Sequence, residues 1–241
     1  MTWLLDHPAL VAQRFGEHLW LSGVSLALAL LIALPLGIAS ARDQRLDGPV
    51  LGALGILYTV PSLALFVALI PIAGLGRRTA LIALVAYAQV FLVRNLVTGL
   101  RGVDPAIREA ASGLGMSPSQ QLRRIDLPLA LPAILAGVRI AAVSTIGLAT
   151  LGALINAGGL GTLLFEGVAQ DNGAKIRAGA IAVSGLALVF NAGLGWLEER
   201  ARGWVGGGGD SDARARSDEP VKASTKPVGH PASDGGSSRG S

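Results

Sequence analysis

The sequence predicts an all-α, polytopic transmembrane bundle of about five spans, with six as the alternative count. Three observations carry this prediction. Hydrophobic residues make up 51% of the chain and charged residues only 15%. Mean hydropathy is +0.54, above the usual range of soluble domains. The apolar residues fall in charge-free runs, and a helix of about 20 residues crosses a hydrocarbon layer of ~30 Å. Cysteine is absent, which excludes a disulfide framework and a thiolate metal site.

Residues 1–18 mix apolar and charged positions. They lack the basic start and short apolar core of a cleaved signal peptide, and read as an amphipathic leader on the bilayer surface. His7 and His18 in this segment, and His230 in the tail, read as surface histidines. No carboxylate–histidine helix motif accompanies them, so no metal is expected.

Residues 20–41 hold no charge and form the first span, with Trp20 at the interface and Pro35 as a kink. After a short charged turn, residues 49–76 are longer than one straight span needs and contain Pro61 and Pro71. A proline frees a backbone carbonyl, which lipid tolerates only where helices, hydroxyls or a wet cavity satisfy it. Tyr58, Thr59, Pro61 and Ser62 are therefore candidates to line an inner cavity. The third span runs from about Thr79 to Arg94, and its Tyr87 is a further candidate for the pathway. A fourth span covers about 129–155 and carries one charge, Arg139, about two to three turns in. "NAGGLG" then breaks the helix, and Asn156, Gly158 and Gly159 are candidates for a gate at the outer face. A fifth run, 178–197, ends at Trp196 and "EERAR". Residues 203–241, rich in Gly, Ser, Asp, Arg and Pro, read as a disordered tail.

The tail balances five basic against five acidic residues, so the net charge of +4 resides between the spans. That distribution serves topology; no nucleic acid is expected as a partner. Placing the amino terminus outside puts Arg42, Arg45, Arg94, Arg101, Arg108, Arg123, Arg124, Arg200 and Arg202 on the cytoplasmic side. The positive-inside rule favours this arrangement, with the carboxyl terminus cytoplasmic.

The polar interruption between spans three and four, about 94–126, holds two helix starts. Asp104 with Pro105 offers an N-cap and a first-turn proline. Ser117, Pro118 and Gln120 form a capping box, and Gly113 and Gly115 supply the turn between. Leu127–Pro128 is expected to close the second helix. Ala110, Ala111 and Ser112 would let another surface approach the first helix closely, with Glu109 at the rim. Two stiffened helices tethered to spans suit transmission of force from a soluble partner.

Glu109, Ala110, Ala111, Gly115, Ile125, Leu127 and Pro128 together resemble the EAA loop of binding-protein-dependent ABC importers. The likeness extends over about residues 18–197, through "YTVPSLALFVALIP", "DLPLALPAILAGVRIA" and "IGLATLGALINAGGLG", and is to permeases of the osmoprotectant family. It implies a type I importer permease fold over residues 19–202, with a cytoplasmic coupling loop at 101–128 that docks on an ABC ATPase dimer. It further implies a substrate-binding protein outside, a second permease copy or paired homologue, and a cell-membrane location. Substrates implied are glycine betaine, choline, carnitine or proline betaine; an amino acid such as methionine or proline is the alternative. No GxxxxGK[ST] motif occurs, so ATP and Mg are expected on the partner and no cofactor on this chain. A membrane-embedded enzyme or a passive channel is the reading from another class. The spans hold no His, Asp or Glu for chemistry, and a channel has no use for capped coupling helices. The chain is therefore not expected to be an enzyme.

Overall fold

The computed structural model describes residues 7–206, and these are helical and loop structure with no strand. In chain order the helices are α1 (Pro8–Arg42), α2 (Gln44–Thr59), α3 (Ser62–Ala73), α4 (Arg77–Arg101), α5 (Pro105–Gly113), α6 (Pro118–Gln121), α7 (Leu127–Ala149), α8 (Gly161–Ala169) and α9 (Gly173–Gly206). Four helical segments are long and apolar enough to cross a membrane: α1, α4, the continuous rod Pro118–Ala149, and α9. The pair α2 and α3, bent by 98°, makes a fifth if counted as one broken span.

The central helix is α4. Its Ala80, Ala83, Leu84 and Val93 are fully buried, and α1, α7, α2 and α3 pack around it. Small residues set the spacing, as expected where van der Waals packing holds helices together in lipid. A Cβ on Gly37 of α1 would stand 2.5 Å from Leu96, one on Gly99 2.8 Å from Ala133, and one on Gly137 2.6 Å from Asn95. A buried interhelical hydrogen bond from Gln89 Nε2 to the Ala29 carbonyl (3.1 Å) fixes α1 against α4. The α4 helix continues past Arg94 to Arg101, because Leu96 and Leu100 remain buried against Ala130, Ile38 and Leu127.

Several expectations change. The leader is not a separate surface helix: Pro8 to Arg42 is one helix of 35 residues. At ~1.5 Å per residue it is about 52 Å long, so its first turns project beyond a ~30 Å hydrocarbon layer. No breaker separates leader from span, and the projecting part is held by contacts of its own. His18 is accordingly not a surface residue: it is fully buried, with Nε2 3.0 Å from the Ile146 carbonyl. Helix α9 runs on through Gly206, past the expected start of the tail at 203. Met1–Asp6 and residues 207–241, including the rest of the predicted tail and His230, lie outside the described residues.

Pro128 does not end a helix either. Residues Leu122–Asp126 form a π-turn, and the Leu127 N–H bonds to the Leu122 carbonyl five residues back. That widened turn absorbs the proline, so α6, the π-turn and α7 make one rod. The two helix starts occur where the sequence places them. Asp104 caps α5 through Ala106 N–H (2.8 Å), and Ser117 and Gln120 form the reciprocal capping box.

Candidate functional site

Two sites emerge at different levels of the bundle. The first is a cavity of about 450 Å³ at the bend between α2 and α3. The chain breaks at Val60–Pro61, both with extended ψ. The Tyr87 hydroxyl of α4 donates to the Val60 carbonyl, so the carbonyl released at the break finds its partner inside the bundle. Tyr58 stands edge-on to Tyr87 (6.1 Å between centroids, 74°) and to Phe91 (5.4 Å, 82°). Ser144, Gly147 and Leu148 of α7 close the far wall.

The four residues expected around the inner cavity, Tyr58, Thr59, Pro61 and Ser62, lie here, and Tyr87, a pathway candidate, joins them. Phe91, Ser144 and Gly147 were missed. Phe91 lies one turn beyond Tyr87 on the same helix face, and Ser144 and Gly147 share a face of α7; that spacing is the signal that could have found them. The lining carries no formal charge, yet it offers hydroxyls and aromatic rings, which suits a solute that needs low polarity and π-faces.

The second site is the elbow of α5 and α6. Glu109, Ala110 and Gly115 are exposed on its outer surface, whereas Ala111 is buried on its inner side. Ile125, Leu127 and Pro128 are half-buried in the π-turn and the start of α7. The seven residues therefore divide into an outward face and an inward anchor. Ile107 (42% exposed) and Leu114 (83%) extend the outward face. Sequence reading passed over them because an isolated apolar residue in a polar loop carries no periodic signal.

Charge-assisted bonds tie the elbow to the bundle. Arg108 Nε pairs with Asp126 at 2.8 Å, and the same guanidinium reaches the Leu100 carbonyl. Arg42 Nη2 donates to the Pro118 carbonyl at 3.0 Å, and Arg101 holds Asp47 and the Ser40 carbonyl. Arg108 thus joins α5 to α4 and to the π-turn, Arg42 joins α1 to α6, and Arg101 joins α4 to α1 and α2.

The Asn156–Gly159 turn lies at the opposite end, away from the aromatic cavity. Asn156, Gly158 and Gly159 have left-handed backbone (φ 63°, 85° and 82°). Glu17 of α1 accepts from the Gly159 N–H at 3.0 Å and pairs with Arg14 at 3.0 Å and Arg77 at 3.8 Å. These three residues form a latch between the projecting end of α1 and the turn before α8.

Comparison with known proteins decides what this architecture is. Residues 33–203 match the family described as Binding-protein-dependent transport system inner membrane component. The chain belongs to this family. It is an inner-membrane permease component, and among its relatives is the osmoprotectant import permease protein OsmW of Salmonella typhimurium (strain LT2). That relative is 39% identical over 203 residues, 82% of this chain and 93% of the relative. The glycine betaine/carnitine/choline transport system permease protein OpuCB of Bacillus subtilis (strain 168) is 36% identical over 83% of this chain and 92% of its own length. The carnitine transport permease protein OpuCD of Listeria monocytogenes serotype 1/2a is 40% identical over 78% and 85%. These relatives are transport permease subunits and not enzymes. Among solved structures, an inward-facing MetNI methionine ABC transporter superposes with a TM-score of 0.75 over 81% of this permease and 98% of that chain. At 22% identity that likeness concerns the fold, which is the type I importer permease fold.

Proposed function

We propose that this permease belongs to an ATP-driven importer of quaternary ammonium osmoprotectants such as glycine betaine, choline, carnitine or proline betaine. The observation that carries the reading is the kinship with permeases named for osmoprotectant, glycine betaine, carnitine and choline transport, at 36–40% identity over most of both chains. The aromatic cavity supports it physically. A methylated nitrogen donates no hydrogen bond and is attracted to ring faces, each contact worth about 0.5–2 kcal/mol. A site of that strength holds a solute briefly, which a pathway requires if the solute is to leave again.

In this reading the elbow faces the cytoplasm, the amino terminus lies outside and the carboxyl terminus inside. The face made by Glu109, Ala110 and Gly115, with Ile107 and Leu114 beside it, docks on a cytoplasmic ATPase dimer that binds ATP and Mg. Ala111, Ile125, Leu127 and Pro128 pass the motion inward, and the cavity alternates between the two sides. A second permease, identical or homologous, completes the pathway, and an external binding protein delivers solute near the Asn156–Gly159 turn, where a gate would hinge.

The test is uptake by the complete complex reconstituted in lipid vesicles with its ATPase and binding protein, offered glycine betaine, choline, carnitine, proline and methionine. Uptake of one or more quaternary ammonium solutes is expected. Uptake of methionine or proline alone would overturn the substrate reading while leaving the family intact.

A further inference from the structure

Arg139 is the one formal charge within the apolar stretch of α7, and the aromatic cavity does not use it. It lies about 18 Å along α7 from Leu127 by helical rise, within the apolar stretch. Its guanidinium lines a second cavity of about 390 Å³ together with Ile140, Ser144, Asn191 and Glu198. Ser144 lines both cavities. Ala136, Ile140, Val143, Ser144 and Gly147 follow one another along one face of α7, so the second cavity continues the first toward the elbow.

This arginine reaches toward the end of the fifth apolar run, where Glu198 begins the charged stretch. It turns sideways onto α9, where Nε donates to Asn191 Oδ1 at 2.8 Å and Nη1 pairs with Glu198 at 3.2 Å. Gly195 leaves it room: a Cβ there would stand 3.3 Å from Nη1 and 3.5 Å from Cζ. Glu198 is 4% exposed, and its other oxygen holds Arg202. Two guanidinium groups therefore share one carboxylate, leaving a net positive charge. Charged groups at membrane depth face a wet cavity or another protein surface and not lipid. A cavity lined by paired charges and sharing Ser144 with the first suits a water-accessible route.

We propose that Arg139 is a carboxylate subsite of the pathway. A zwitterionic solute leaving Tyr58, Tyr87 and Phe91 turns its carboxylate onto Arg139 and replaces Glu198, which stays paired with Arg202. The exchange swaps one carboxylate for another and strands no charge. The inference rests on the quaternary ammonium reading, and it separates solutes that carry a carboxylate, such as glycine betaine, from choline, which has none.

The experiment compares uptake of glycine betaine and of choline by the reconstituted complex carrying wild-type permease, Arg139→Gln or Glu198→Gln. The same binding protein serves all three, so a changed ratio arises in the membrane. Arg139→Gln is expected to lower glycine betaine uptake about tenfold, the worth of one charge-assisted hydrogen bond, and to change choline uptake less than about twofold. Glu198→Gln removes the competitor and is expected to lower the KM for glycine betaine. Equal losses for both solutes, or no loss, overturn the proposal and leave Arg139 a pin between α7 and α9. Should Arg139→Gln fail to insert, or the wild type carry glycine betaine alone, Glu198→Gln decides: an unchanged or higher KM overturns the subsite. A wild type that carries choline but not glycine betaine overturns the subsite and spares the substrate class. A wild type that carries neither refutes the substrate class itself, before any variant is compared.

Discussion

Gly115 separates backbone strain from partner docking. Its φ is +76°, and a Cβ built there meets nothing within 4 Å. Any L-residue other than Asn or Asp costs roughly 1–2 kcal/mol in this left-handed region. The Cβ itself projects into open space as far as this chain is concerned. Asn is therefore a near-neutral control, Ala adds strain alone, and Phe adds the same strain plus bulk on the outward face beside Leu114. The assay is vesicle uptake and ATP hydrolysis by the complex, with membrane insertion of each variant checked by its yield in detergent extract. Gly115→Asn is expected to match wild type, and Gly115→Ala to lose at most a few-fold. Gly115→Phe is expected to insert normally and to lose about tenfold more uptake than Gly115→Ala. A tenfold loss corresponds to ~1.4 kcal/mol of coupling, within the range of typical allosteric couplings. Equal behaviour of the Ala and Phe variants would refute the reasoning, because the bulk would then meet no partner.

Three further outcomes follow from the same geometry. Arg108→Ala removes the bond to Asp126 and the reach to Leu100. With the arginine side chain 35% exposed, the loss is discounted to about 1–2 kcal/mol, and uptake per ATP hydrolysed is expected to fall. An unchanged transport-to-hydrolysis ratio would count against the elbow as a force path. Tyr87→Phe leaves the Val60 carbonyl without its hydroxyl donor, at a cost of about 1–3 kcal/mol. A lower thermal midpoint in detergent is expected, and an unaltered midpoint would mean that the break is satisfied in another way. Gly159→Ala combines left-handed strain of ~1–2 kcal/mol with a Cβ 3.0 Å from His18 Nδ1 and 3.3 Å from the His18 Cα. It is expected to loosen the latch and to raise protease sensitivity of the turn in right-side-out vesicles; wild-type resistance would argue that α1 and the turn can separate freely.

What the sequence makes legible follows the range of the forces concerned. The capping residues Asp104 and Ser117 act within four residues of themselves, so their pattern survives into the structure unchanged. The proline at 61 announces a break in the helix, and the structure supplies the Val60 carbonyl at that break with a donor from Tyr87, 27 residues on from Val60. The leader was misread because helix continuity is not a local property. Residues 8–19 carry enough charge to look interfacial, but Glu17 and His18 find their partners at Gly159 and Ile146, across more than a hundred residues of chain. Pro128 was misread for a related reason. A proline's cost depends on the register of the turn before it, and a π-turn cannot be seen in composition.

The same contrast explains the division within the coupling motif. A sequence motif reports which residues occur together but not which way each one points. In the elbow, consecutive alanines stand about 100° apart around α5, and that is enough to divide them: Ala110 is exposed while Ala111 is 3% exposed. One can touch a partner, and the other can only touch the bundle. Substitutions at the two positions should therefore fail differently. On the docking reading proposed above, a bulky residue at Ala110 obstructs the partner and spares the fold, whereas one at the buried Ala111 has no room and destabilises α5. In the proposed function, force transmission needs both surfaces, since a rod that docks but is loose on its inner side moves without moving the spans.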